Sequence, residues 1–269
     1  MRIALAQVAA SDRPGDNADL VADYTARAAQ AGARLVVFPE ATMCRFGVPL
    51  APVAEPLDGP WADRVAQSAH EHGVTVAAGM FTPSGDRVAN TLLVAGPDGR
   101  TGYSKVHLFD AFGFVESRTV APGDEAVTVE VDGVRVGLTI CYDIRFPALF
   151  TALADAGADV IAVAASWGAG PGKLDAWTTL ARARALDTTT YVVACDQADP
   201  GEPDPRGAPR GVGGSLAVGP DGEILTQAGP GPDLLVVDID TDRVAAVRET
   251  LPVLANRRDF RHPHRSVRP

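Results

Sequence analysis

The chain has 269 residues, 46% of them hydrophobic, and a mean hydropathy of +0.04, a balance that suits one large core in a layered α/β arrangement. Acidic residues outnumber basic ones 34 to 24, and the net charge of −10 disfavours nucleic acid and anionic membrane as partners, because both would be repelled. No apolar run reaches the ~18 residues that a membrane-spanning helix needs.

Met1-Arg2-Ile3-Ala4-Leu5-Ala6-Gln7 turns polar too early for a signal peptide, and Ile3–Val8 reads as a buried strand. Asp16 or Asn17 is placed to cap a helix running to about Ala31, with Gly32 as its stop. Leu35–Phe38 is a second strand ending in Pro39-Glu40. Trp61–His72 reads as a helix closed by Gly73. Val74–Phe81, Ala89–Ala95 and Thr101–Lys105 read as strands, the last two joined by the turn Gly96-Pro97-Asp98-Gly99. Val106–Gly123 lacks periodicity and reads as an aromatic-rich loop. Ala126–Val131 and Val134–Ile140 form a hairpin about Asp132-Gly133, and Cys141 follows directly. Ala148–Ala156 and Leu174–Asp187 read as helices, with Asp159–Ala164 and Tyr191–Asp196 as strands. Residues 198–212 form a Pro/Gly/Arg loop. Ser215–Val218, Glu223–Thr226 and Leu234–Asp238 are the final strands, and an arginine- and proline-bearing arm runs over 248–269.

A weak internal repeat runs through this order. Arg2-Ile3-Ala4-Leu5 is similar to Arg135-Val136-Gly137-Leu138. Ala31-Gly32-Ala33 is similar to Ala156-Gly157-Ala158, and Gly96-Pro97-Asp98-Gly99 to Gly219-Pro220-Asp221-Gly222. Two halves of this kind, each a sheet with helices on one face, pack sheet to sheet into four layers, α-β-β-α.

Three segments place a reactive side chain at the end of an apolar strand, where layered α/β folds gather their sites. Leu35-Val36-Val37-Phe38-Pro39-Glu40 delivers a carboxylate to a buried rim, where burial raises its pKa and suits it to accept a proton. Tyr103-Ser104-Lys105-Val106-His107 delivers a lysine. Only two of the 24 basic residues are lysines, Lys105 and Lys173, so a lysine here is less ordinary than in most chains. Its ammonium suits an oxyanion or a thiol neighbour. His107 reads as a hydrogen-bonded loop histidine. Gly137-Leu138-Thr139-Ile140-Cys141-Tyr142-Asp143 ends a strand in a sharp turn and sets the Cys141 thiol near a helix N-terminus, which favours thiolate. The three cysteines, Cys44, Cys141 and Cys195, are odd in number and far apart. They form neither a disulfide framework nor a zinc site, and a reducing cytoplasm fits. Cys44 and Cys195 suit a buried structural role better. Gly211-Val212-Gly213-Gly214 leads into a strand rather than a helix and reads as a turn.

A carboxylate, an ammonium and a thiol in that order also make a resemblance. Phe38-Pro39-Glu40, Tyr103–Asp110 and Ile140-Cys141-Tyr142-Asp143-Ile144-Arg145-Phe146-Pro147 resemble the glutamate, lysine and cysteine motifs of the nitrilase superfamily of carbon–nitrogen hydrolases. Glu116-Ser117 with Pro122-Gly123 resembles that family's loop with a second glutamate. The resemblance covers nearly the whole chain, and the wording around Cys141 is similar to the Nit branch, which includes ω-amidases and deaminated-glutathione amidases. It implies one domain over 1–269 that cleaves a small, carboxylate-bearing linear amide to acid and ammonia. It implies a homodimer or larger assembly, with the tail crossing a partner, and no cofactor. The histidines (His70, His72, His107, His262, His264) show no metal-ligand motif.

The roles expected are Glu40 as proton acceptor, Cys141 as nucleophile, Lys105 with the Tyr142 N–H at the oxyanion, and Glu116 tuning Lys105. Arg145 suits a clamp on a substrate carboxylate or a pairing with Asp143. Phe112 and Trp167 are candidate pocket walls. The stretch Ala165–Lys173 departs from other Nit proteins. A nitrilase or N-carbamoyl amidohydrolase with the same three groups, and a non-catalytic α/β binding domain, are the alternative readings.

Overall fold

The computed structural model describes residues 1–259 apart from 203, 205 and 206. Strand alternation sets its layers. In β1 (Arg2–Gln7), Ile3 and Leu5 belong to one apolar cluster while Ala4 and Ala6 belong to another, so both faces of the strand are covered. The same division runs through β2 (Leu35–Val37), β3 (Thr75–Ser84) and β4 (Arg87–Gly96), while the edge strand β5 (Gly99–Ser104) is largely exposed and buries Tyr103 alone. One face packs under α1 (Pro14–Gln30) and α2 (Pro60–His72) through Val21, Tyr24, Trp61 and Val65.

After the short strands β6 (Asp110–Ala111), β7 (Phe114–Val115) and β8 (Val120–Ala121) comes the second sheet. It holds β9 (Thr128–Val131), β10 (Val134–Ile140), β11 (Val160–Ala165), β12 (Tyr191–Asp196), β13 (Leu216–Val218) and β14 (Ile224–Gln227). Val136, Leu138 and Ile140 of β10 share a cluster with Ile3, Leu5, Leu35 and Val37, which is the seam between the sheets. Gly137, of opposite parity, lies under Leu153 of α3 (Pro147–Asp155). With α4 (Lys173–Thr188) beside α3 on that outer face, the four layers α-β-β-α follow. β15 (Asp233–Asp238) returns to pair with β1, and α5 (Thr241–Thr250) closes the described elements.

The sheet orders are β15-β1-β2-β3-β4-β5, with β8 on β4, and β14-β13-β12-β11-β10-β9. Each half has an antiparallel edge partner, two parallel pairings, then two antiparallel ones. The repeat seen in the sequence is thus a repeat of topology, and it extends to single contacts. Arg2 Nη1 donates to the Ala31 carbonyl at 2.9 Å, and Arg135 Nη1 donates to the Ala156 carbonyl at 2.9 Å. The adjoining Gly32 and Gly157 adopt φ of +81° and +89°, which lets each chain turn beneath its arginine.

Some local expectations change. α1 begins at Pro14, because Pro is well suited to the first turn of a helix. Asn17 lies inside it, buried, accepting from Ser11 N–H and donating to the Met43 carbonyl. The 106–123 segment is not wholly irregular: β6 and β7 make a hairpin and β8 joins β4. Arg248, where an arm was expected to begin, is inside α5 and donates to the Ala158 carbonyl. Residues 260–269 of that arm lie outside the described residues.

Candidate active site

Parallel strands end at a common rim, and the reactive side chains stand in the loops that follow. β10 ends at Ile140, and Cys141 opens a short 3-10 turn, Cys141–Arg145, with φ of +48°. A non-glycine residue in that region costs about 1–3 kcal/mol, and such strain gathers at functional sites. Asp143 holds the turn. Its carboxylate accepts from Ile140 N–H at 2.9 Å, Tyr103 Oη at 2.7 Å and His107 N–H at 2.9 Å, with His107 Nδ1 at 2.8 Å. The turn that carries Cys141 is thereby tied to the end of β5, which leads into Lys105. His107 stacks on Phe146 with ring centroids 3.7 Å apart.

Glu40, Lys105 and Glu116 form one buried cluster. Lys105 Nζ donates to Glu40 Oε1 at 2.8 Å and to Glu116 Oε2 at 2.9 Å. Asn90 Nδ2 donates to both carboxylates, at 2.7 and 3.0 Å. Phe109 N–H holds Glu116 at 2.6 Å, and Ser166 N–H holds the other oxygen of Glu40 at 2.9 Å. The Cys141 thiol lies 3.9 Å from the Ser166 carbonyl, so residue 166 touches both the thiol and the acid. Gly79 makes room for Glu40: a Cβ there would sit 2.5 Å from Ala41 N and 2.7 Å from Glu40 Cα.

Burial governs the charges. It raises the Glu40 carboxyl above the usual range, against the pull of Lys105 and with added push from Glu116. It opposes the Lys105 ammonium too, but Glu116 and Glu40 outweigh it and hold that pKa well up. Burial, then Glu40, pushes the Cys141 thiol well above its ordinary value, with Lys105 opposing. The turn after Cys141 is a single 3-10 turn, which offers a thiolate less than the helix N-terminus expected there, and burial beside a carboxylate pushes the thiol pKa the other way.

The cluster floors a pocket of about 400 Å³, counting its open mouth. Tyr142, Arg145 and Trp167 line it, and so does Lys173, so both lysines of the chain face one cavity. The Arg145 guanidinium lies 5.2 Å from the Trp167 ring centroid, and the pairing with Asp143 does not form, because Tyr103, His107 and Ile140 occupy that carboxylate. Phe112 is not a wall of this pocket. It stands 83% exposed at the tip of the β6–β7 hairpin, with Lys173 Nζ 3.7 Å from its ring centroid. Among the described residues, no three His, Cys, Asp or Glu side chains gather as a metal site.

The family model described as carbon–nitrogen hydrolase matches residues 2–249. The chain belongs to the carbon–nitrogen hydrolase family. A Mycobacterium tuberculosis protein named only as a hydrolase is 62% identical to it, over 97% of this chain and 96% of its own. A deaminated glutathione amidase of Escherichia coli O157:H7 is 36% identical, over 96% and 97%. A solved amidase variant from Nesterenkonia, with acrylamide added at its active-site cysteine, superposes with a TM-score of 0.78 at 28% identity, over 94% and 98%. Relatives named as ω-amidases, such as that of Xenopus tropicalis at 33% identity over 99% of this chain and 97% of its own, place the chain nearest in likeness to the Nit branch of that family.

Within this carbon–nitrogen hydrolase, sequence reasoning missed Asn90, Ser166 and Asp196. Asn90 had a signal: it is a polar residue of the same parity as the core residues Leu92 and Val94. Asp196 ends a wholly buried strand and accepts from Trp167 N–H at 2.7 Å and Val212 N–H at 2.8 Å. It thereby joins two pocket loops. Burial pushes its carboxyl up to about 8. Ser166 acts through its backbone, which no residue type reveals.

Proposed function

We propose that the pocket hydrolyses a small linear amide bearing a remote carboxylate, through a thioester on Cys141. The observation that carries this is the convergence of a thiol on a strained turn with a buried, proton-accepting Glu40 and a charged Lys105. Glu40 takes the thiol proton as sulfur attacks the amide carbonyl. The oxyanion lies against the Lys105 ammonium and the Tyr142 N–H. The C–N bond breaks as Glu40 returns its proton to nitrogen, releasing ammonia and leaving the acyl group on sulfur. Water then attacks the thioester, with Glu40 as base, and the acid departs. Glu116 and Asn90 keep Lys105 and Glu40 aligned, and Arg145 meets the substrate carboxylate at the mouth.

Ammonia release from glutaramate, 2-oxoglutaramate, a matched nitrile and a carbamoyl compound tests the reading, with Cys141→Ala as blank. Release from the amides by the parent enzyme alone is the expected result. Preference for the nitrile, carbon dioxide with the ammonia, or equal release by the variant would overturn it.

A further inference from the structure

We propose that Lys173 is a specificity-determining residue, which together with Arg145 grips a substrate carboxylate at the end remote from the scissile amide. This rests on the amidase reading of the same pocket, and adds a residue to which no role has been given.

The argument starts from charge. The chain carries ten more acidic than basic residues, and its surface arginines find carboxylates readily: Arg2 with Asp238, Arg100 with Asp63, Arg243 with Asp221 and Glu223. Among the described residues, Arg145 and Lys173 have no carboxylate partner, and they are neighbours. Arg145 lowers the Lys173 pKa, after burial, which is the larger cause. Two like charges side by side, Lys173 half-buried and Arg145 exposed, oppose each other, and an anion between them relieves both.

Their seats are built. Arg145 rests over Trp167 and Lys173 over Phe112, so each cation lies on an aromatic face. Trp167 Nε1 donates to the Lys173 carbonyl at 2.9 Å, which fixes the start of α4 against the pocket wall. Lys173 also lines the adjoining outer cavity, where its ammonium rests on Phe112, so the residue stands where the two spaces meet. The pocket floor has the opposite character. Two glutamates share one lysine there, and a substrate carboxylate entering that end meets repulsion. Attraction at the mouth and repulsion at the floor orient a charged amide with its carbonyl toward Cys141. A neutral amide has no such preference.

The test compares kcat/KM for glutaramate with that for uncharged pentanamide, in the parent, Lys173→Met and Lys173→Arg proteins. A second arm measures glutaramate binding by calorimetry on Cys141→Ala, with and without Lys173→Met. Lys173→Met should shrink the preference for glutaramate by about tenfold, mostly through KM, and weaken glutaramate binding by a similar factor. Lys173→Arg should keep most of both. An unchanged preference with unchanged glutaramate affinity overturns the proposal, as does a failure of glutaramate to bind when Lys173 is present. If no amide turns over in any protein, the amidase reading falls, and glutaramate binding alone decides the role of Lys173.

Discussion

The two halves of the molecule share a plan, yet only one of two equivalent positions carries a thiol. Cys141 follows β10 as Val8 follows β1. Around Val8 the rim is filled with backbone. The Val8 carbonyl accepts from Ala198 N–H, and the side chain of the preceding Gln7 accepts from Ser215 N–H and donates to the Gly229 carbonyl. β5 runs to Ser104 and delivers Lys105, whereas β14 carries a bulge, stops at Gln227 and leads into Ala228-Gly229-Pro230-Gly231. The repeat supplies the sheets, the seam and the arginine-over-turn contacts. The chemistry comes from where the halves differ, in loops that rigid strands aim at one rim.

That contrast breaks first at the sulfur. Cys141→Ala should lower kcat by at least about 10⁴-fold, whereas Cys44→Ala and Cys195→Ala, at buried positions, should cost stability rather than turnover. Steady-state ammonia release on the three variants checks this, and comparable losses in all three would erase the distinction. Lys105→Met should cost about 10²–10³ in kcat. It should also destabilise the fold by about 3–5 kcal/mol, because Glu40 and Glu116 then face each other without a cation. Denaturant unfolding reads the second effect, and a variant as stable as the parent would contradict the buried ion cluster. Gly79→Ala drives a methyl into the backbone at Glu40, and a loss of about 10²-fold in kcat with unchanged circular dichroism is expected. Full activity there would mean that Glu40 tolerates displacement.

A pH effect sharpens the comparison on the loop side. The Asp196 carboxyl has an ordinary pKa of 3.8 and is raised to about 8 in the fold. The folded protein keeps that proton after the unfolded chain has lost it. This group's contribution to stability is therefore complete below about pH 3.8 and is lost as pH rises toward 8. The melting temperature of the parent should fall across that window more than that of Asp196→Asn. Parallel curves would show that Asp196 is ionised in the fold.

Much of this was legible in the sequence because it is local. Short continuous apolar runs marked the strands, Gly32 and Gly73 closed their helices, and Glu40, Lys105 and Cys141 each announced themselves after a strand end. What escaped depends on convergence. Asn90 is one polar residue in an apolar strand until Glu40 and Glu116 arrive from other segments. The thiol's charge could not be read from the turn after it, because burial and Glu40 decide it. Phe112 was an aromatic in a loop of aromatics, and only the hairpin shows that its ring stands outside the pocket, under Lys173.

The most direct measurement is the mass of the protein quenched during turnover of glutaramate, followed by mapping of the modified peptide. The account predicts an acyl group on Cys141, labile to hydroxylamine, with Cys44 and Cys195 unmodified. Continuing ammonia release with no acyl group on Cys141, or with the label on another residue, would contradict it.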